Sequence, residues 1–247
     1  MDPGNQFFVN TMKMPDNHST RCVIVFLKVP QKSRVKTRLS KFLGPEIVVD
    51  IYKNFVADIL GMLNRSPYRI IVGYYPPHAQ SEAVEWLGPG YTLMPQKGNN
   101  LGKRMANAFD KMFSKSYQHA LLMGTDSPDL PESIVDEAFK SLDNNDAVIG
   151  PTVDGGYYLI GFKSATFLPQ IFDDIPWGTE DVFEMTVKIF QKNKFKLHVL
   201  PKWRDIDTYE DLKFFYKTYS QKESTAPNTA AYLSNIELDI STSEPIE

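Results

Sequence analysis

Seven short apolar runs, separated by stretches of helical periodicity, constrain this chain more than any other feature of its sequence. Cys22–Val29 (CVIVFLKV) is almost continuously apolar, the pattern of a strand buried on both faces. Further strands are predicted at Tyr68–Tyr75, Tyr91–Met94, His119–Gly124, Asp146–Gly150, Tyr157–Phe162 and Lys196–Leu200. Ile47, Ile51, Phe55 and Ile59 recur every four residues and predict a helix over Glu46–Asn64. Leu101, Met105, Ala108, Phe109 and Met112 do the same for Leu101–Phe113, and helices are also predicted over Ala79–Leu87, Pro131–Leu142, Glu180–Gln191 and Thr208–Tyr219. Strands that alternate with helices specify an α/β fold with a mostly parallel central sheet and helices on both faces. Ligands of such sheets bind beyond the carboxyl ends of the strands, so chemistry is expected in the loops after Val29, Met94, Gly124, Gly150 and Leu200.

The 247 residues are enough for a large domain that buries most of its apolar surface. Residues 1–20 read as a flexible N-terminal extension, 21–220 as the folded domain, and 221–247, rich in Ser, Thr, Pro and Asn, as a disordered tail. Within that tail only Tyr232–Leu238 has the composition of a short docking element. A formal net charge of −3 lacks the basic footprint of a nucleic-acid binder. No apolar run approaches the roughly 20 residues that span a bilayer. A single cysteine, Cys22, cannot form an internal disulfide, which points to a reducing, cytoplasmic setting. It reads as a buried small hydrophobe rather than a nucleophile, and the four histidines lack metal-ligand spacing. Nothing in the sequence sets the oligomeric state.

The loop after the first strand concentrates charge: Lys28, Lys32, Arg34, Lys36, Arg38 and Lys41 place six cations within 14 positions, with no carboxylate between Arg21 and Pro45. Cations at a strand exit that runs into a helix start suit a phosphate ligand. The alternative is a solvated charge run. The dinucleotide glycine pattern and the P-loop lysine pattern are both absent. The loop Gly124-Thr125-Asp126-Ser127-Pro128-Asp129-Leu130-Pro131 delivers two carboxylates, and carboxylates with substrate phosphates are the usual ligands of hard divalent cations. Asp129 could instead cap the following helix, whereas Asp126 sits at the strand end, too far upstream for that. Asp154-Gly155-Gly156 permits close approach to a ligand or makes a tight turn. Trp177-Gly178-Thr179-Glu180-Asp181 opens a helix that Thr179 could cap. In Arg204-Asp205-Ile206-Asp207-Thr208, Asp207 is either a helix cap or a second metal carboxylate.

Taken in order, Val29-Pro30, Arg34–Leu39 (RVKTRL), Leu101–Met105 (LGKRM), Gly124–Pro131 (GTDSPDLP), Gly150-Pro151, Asp154–Gly161 (DGGYYLIG), Trp177-Gly178-Thr179 and Asp205–Thr208 (DIDT) resemble a known family. It is the glycosyltransferase-like group of arsenosugar-biosynthesis or radical-SAM/selenodomain-associated transferases, in the nucleotide-diphospho-sugar transferase superfamily with the GT-A fold. The likeness spans about residues 22–212. It implies a GT-A-like catalytic domain, a nucleotide-sugar donor, a small-molecule acceptor, and Mg²⁺ or Mn²⁺. Asp126 falls where the family carries its strand-end metal aspartate, and Asp207 is the candidate second ligand. Arg34, Lys36 and Arg38 would bind phosphate, and Gly155, Gly156 and Trp177 would line the substrate. Asp154, Glu180 and Asp181 are the candidate bases. Lys-Thr-Arg-Leu is also similar to a stretch of 2-phospholactate guanylyltransferases that lies near the triphosphate. The implied activity is therefore metal-dependent glycosyl transfer, with nucleotidyl transfer to a phosphorylated small molecule and non-catalytic nucleotide binding as alternatives.

Overall fold

The computed structural model describes residues 20–30, 35–219 and 224–236. Its seven strands are β1 (Arg21–Lys28), β2 (Arg69–Tyr75), β3 (Thr92–Pro95), β4 (His119–Met123), β5 (Ala147–Pro151), β6 (Tyr157–Lys163) and β7 (Leu197–Val199). They form one sheet in the order β3-β2-β1-β4-β6-β5-β7. Only β6 runs against its neighbours, β4 and β5; the other four pairings are parallel. This is the expected mostly parallel α/β architecture.

The continuous apolar run of β1 is explained by its two covered faces. Val23, Val25 and Leu27 enter one core with α2 (Pro45–Leu63), α3 (Gln80–Leu87) and α5 (Glu132–Leu142). Cys22, Ile24 and Phe26 enter another with α4 (Leu101–Phe113), α6 (Val182–Lys192) and a 3-10 turn at Pro169–Phe172. Helix α2 is apolar on two sides. Tyr52, Val56, Ile59 and Leu63 face the sheet. Ile51 and Phe55 instead meet α1 (Thr37–Leu43), α7 (Tyr209–Tyr219) and α8 (Pro227–Asn235) through Leu39, Leu212, Phe215 and Leu233. The stripe read from the sequence is thus shared between two cores.

Helix α8 corrects the expectation of a disordered tail over 221–247. Residues 224–236 are ordered on α2 because the Asp58 carboxylate, only 3% exposed, accepts four hydrogen bonds from the start of α8. The donors are Asn228 N (2.9 Å) and Nδ2 (2.8 Å), and Thr229 N (2.9 Å) and Oγ1 (2.6 Å). Composition counts the apolar residues of a segment and misses a partner carboxylate some 170 positions away. The expected extension over residues 1–19 and the segments 220–223 and 237–247 lie outside the described residues.

Asp58→Ala would leave buried amide donors unpaired, and a loss of about 3 kcal/mol in urea-unfolding stability is expected. Burial pushes the Cys22 thiol up to about 12, so thiol-alkylating reagents should label it only after denaturation.

Candidate active site at the carboxyl ends of β1 and β4

From β1 the chain builds outward through β2 and β3, then returns to β4 on the opposite side of β1. Loops leaving β1 and β4 therefore diverge, and a crevice opens between their carboxyl ends. Lys36 follows β1 and Asp126 follows β4. A third segment, after β7, is bonded across the same end of the sheet. Trp203 N donates to Pro151 O (3.0 Å), Val153 N to Trp203 O (3.0 Å), and Ile206 N to Asp126 O (2.8 Å). That last bond sets Asp207 beside Asp126.

Lys36 Nζ lies 2.6 Å from Asp126 Oδ1 and 2.8 Å from Asp207 Oδ1, and donates to Ile206 O at 2.7 Å. Its side chain is 4% exposed, against 50% for Asp126 and 39% for Asp207. The ammonium is enclosed while both carboxylates keep a face toward solvent. Burial by itself would lower the Lys36 pKa, but Asp126 and Asp207 outweigh it and hold it above the ordinary lysine range. Burial would raise Asp207, and Lys36 holds it below the usual carboxylate range. Lys36 also has a left-handed backbone, φ 46° and ψ 50°, strained for a residue with a Cβ.

The other expected site residues divide into those the fold brings close and those it employs elsewhere. Arg38 is at the rim, its guanidinium 3.9 Å from Asp207 Oδ2. Arg34 lies outside the described residues. Asp154 accepts bonds from Thr152 Oγ1 and Gly156 N, closing the β5–β6 hairpin at the same end of the sheet. Gly155 has φ 91°, and a Cβ there would stand 2.0 Å from Glu180 O, so its close approach is to the chain's own backbone. A Cβ on Gly156 would lie 3.0 Å from Thr152 Oγ1. Trp177 packs over Gly102, where a Cβ would come within 2.8 Å of the indole nitrogen, and edge-on to Tyr157. Glu180 and Asp181 are exposed at the start of α6.

Three capping expectations are corrected. Asp129 does not cap α5: that helix starts at Glu132 behind Pro131, and Asp129 instead accepts bonds from Trp203 Nε1 (3.1 Å) and Tyr219 OH (3.0 Å). Thr179 Oγ1 donates to Pro176 O (2.9 Å) and accepts from Asp181 N (3.4 Å), so it caps the turn that leads into α6, while Asp181 holds the N-cap position of the helix with no side-chain cap bond. Helix α7 is capped by Thr208 and Asp211 reciprocally, Asp211 N to Thr208 Oγ1 (3.2 Å) and Thr208 N to Asp211 Oδ2 (3.0 Å). Asp207 is thereby left to Lys36.

Asp205 is the residue that sequence reasoning passed over, although its spacing of two from Asp207 after a strand was the available signal. Burial and the neighbouring Asp154 and Asp207 carboxylates push it up to about 6. Among the described residues no cluster of three or more His, Cys, Asp or Glu is arranged to hold a metal. Asp126, Asp207 and the Ile206 carbonyl nonetheless converge on one cationic position. A hard oxygen set of this kind fits Mg²⁺ or Mn²⁺ when substrate phosphates complete the shell.

A folded carboxyl with a raised pKa binds more protons than the unfolded chain, so its contribution to stability falls as pH rises through the interval from about 4 to 6. In EDTA, Asp205→Asn should therefore stabilise the fold at pH 8 by about 1 kcal/mol after screening, read as a higher thermal midpoint, and flatten the profile across that interval.

The comparisons with known proteins bear on the family and the fold. Residues 60–179 match the family described as an uncharacterized protein conserved in bacteria (DUF2064). A solved structure from Desulfovibrio desulfuricans G20, named for the nucleotide-diphospho-sugar transferases, is 37% identical with a TM-score of 0.85 and covers 91% of this chain and 98% of its own. The 2-phospho-L-lactate guanylyltransferase of Methanocaldococcus infernus is 25% identical over 184 residues, 73% of this chain and 78% of the relative. A cytidylyltransferase from Leptospira borgpetersenii shares the fold, with 15% identity, a TM-score of 0.55 and coverage of 93% of this chain and 100% of its own. No helix among the described residues is long and apolar enough to cross a membrane. With a crevice of this topology and a relative of this identity over nearly its whole length, the chain belongs to the nucleotide-diphospho-sugar transferase superfamily and is a transferase.

Proposed function

We propose that the chain transfers a nucleotidyl group from a nucleoside triphosphate to a small phosphorylated acceptor, with a divalent cation at Asp126 and Asp207. The observation that carries this reading is the convergence of Lys36, Asp126 and Asp207 at the β1–β4 crevice. The guanylyltransferase similarity over 184 residues supports it. In such a transfer an acceptor phosphate oxygen attacks the α-phosphorus, the bond to the β-phosphate oxygen breaks, and pyrophosphate leaves with the electron pair. Mg²⁺ or Mn²⁺ supplies neutralisation of the phosphate charge when bound. Arg38, exposed at the rim, and Arg34 of the same basic segment draw the polyphosphate toward the crevice. Lys36 adds a positive charge where leaving-group charge develops.

Glycosyl transfer from a nucleotide-diphosphate sugar is the second reading, favoured by the 37% identity to the Desulfovibrio desulfuricans protein. There the acceptor oxygen attacks the anomeric carbon and nucleoside diphosphate leaves. Asp154, Glu180 or Asp181 would take the acceptor proton.

Product analysis separates the two. Pyrophosphate released from a nucleoside triphosphate selects nucleotidyl transfer, and nucleoside diphosphate released from a sugar donor selects glycosyl transfer. In either case Asp126→Asn should cut Mn²⁺-dependent turnover by about a hundredfold or more while the circular dichroism spectrum is unchanged. Full activity in that variant would remove Asp126 from the machinery.

A further inference from the structure

We propose that Lys36 is an exchangeable counter-ion: its ammonium occupies the position between Asp126 and Asp207 that a divalent cation takes, and vacates it when the cation binds. This deepens the reading of Asp126 and Asp207 as the cation-binding pair and rests on it. Three oxygens, Asp126 Oδ1, Asp207 Oδ1 and Ile206 O, surround Nζ at 2.6, 2.8 and 2.7 Å, so each ammonium proton has an acceptor. A divalent cation held by the same oxygens would need the space that Nζ fills. The two cations exclude one another by volume and by charge.

Several features suit the lysine to leaving. It is a compact charge on a flexible four-carbon stem, which can withdraw without dismantling a planar fork. Both carboxylates keep a solvent-facing side, 50% and 39% exposed, through which a cation can approach while Nζ is still seated. Phe55 of α2 adds an aromatic face to the seated ammonium, its ring centroid 5.8 Å from Nζ. The left-handed backbone at Lys36 shows that the chain aims this side chain at the carboxylates at a conformational cost. The seated lysine balances two adjacent carboxylates that would otherwise repel each other. Once displaced, the same amine is beside the cation and free to meet a phosphate oxygen. Cation entry and lysine availability are then linked, and the seated lysine scales the apparent cation affinity down to the fraction of time the site is left free.

The test is a Mn²⁺ titration without nucleotide, with free Mn²⁺ followed by electron paramagnetic resonance. Lys36→Met should tighten the Mn²⁺ dissociation constant at least about tenfold relative to wild type. Asp126→Asn and Asp207→Asn should weaken it. An equal or weaker affinity in Lys36→Met overturns the exchange and leaves the cation pair standing. Mn²⁺ binding that survives both aspartate substitutions unchanged removes the cation pair, and the exchange with it. A measurement on the wild-type chain covers the case in which Lys36→Met does not fold. The ¹H–¹⁵N resonance of the Lys36 ammonium should shift or broaden away as Mg²⁺ saturates the protein, and an unchanged resonance at saturation overturns the proposal.

Discussion

The ion cluster of Lys36 with Asp126 and Asp207 joins three segments that are far apart in the chain: the exit of β1, the exit of β4 and the return after β7. A buried ammonium is tolerated only if its partners are close, and here two carboxylates and a carbonyl supply them. The rest of the local structure serves that convergence. Trp203 bonds back to Pro151, Ile206 bonds to Asp126, and Thr208 with Asp211 caps α7 so that Asp207 remains turned to the lysine. Asp129, which the sequence sets only three residues from Asp126, faces Trp203 and Tyr219 instead and anchors the same return segment.

The sheet order explains why the cluster sits where it does. With β2 and β3 on one side of β1 and β4 on the other, the loops after β1 and β4 part, and the space between them is the natural ligand crevice of an open α/β sheet. The antiparallel β6 brings its hairpin with β5, and so Asp154, to this end as well. Asp205 completes an acidic group whose mutual repulsion, added to burial, pushes its own carboxyl up to about 6. Among the described residues, Asp126 and Asp207 thus share the enclosed Lys36 ammonium, with Arg38 at the rim beside Asp207.

Much of the framework is legible in the sequence. The near-continuous apolar runs mark strands covered on both sides, and the positions of those strands place Lys36 and Asp126 in loops at one end of a sheet. Less local relations are not legible there. Helix α8 depends on Asp58, a residue on a helix that closes well over a hundred positions earlier, with some 170 positions between donor and acceptor. Gly155 could be read as a ligand contact, yet its missing Cβ is required by Glu180 of the α6 entry loop. Trp177 could be read as a substrate platform, yet its indole covers Gly102. In each case one residue type admits several partners, and only three-dimensional proximity selects among them.

The sequence by itself determined the α/β class, the run of strands and helices, and the set of charged residues at the loop ends, because periodicity and strand-end position are local properties of the chain. Only the tertiary structure decided which charges meet. Whether Asp207 caps a helix or faces Asp126 turns on the Thr208–Asp211 pair and on a backbone bond from Ile206 to Asp126. Whether Lys36 is a solvated surface cation or an enclosed one turns on two carboxylates that lie 90 and 171 positions away. Coulomb attraction and desolvation act over a few ångströms of space, and spacing along a sequence does not report that distance.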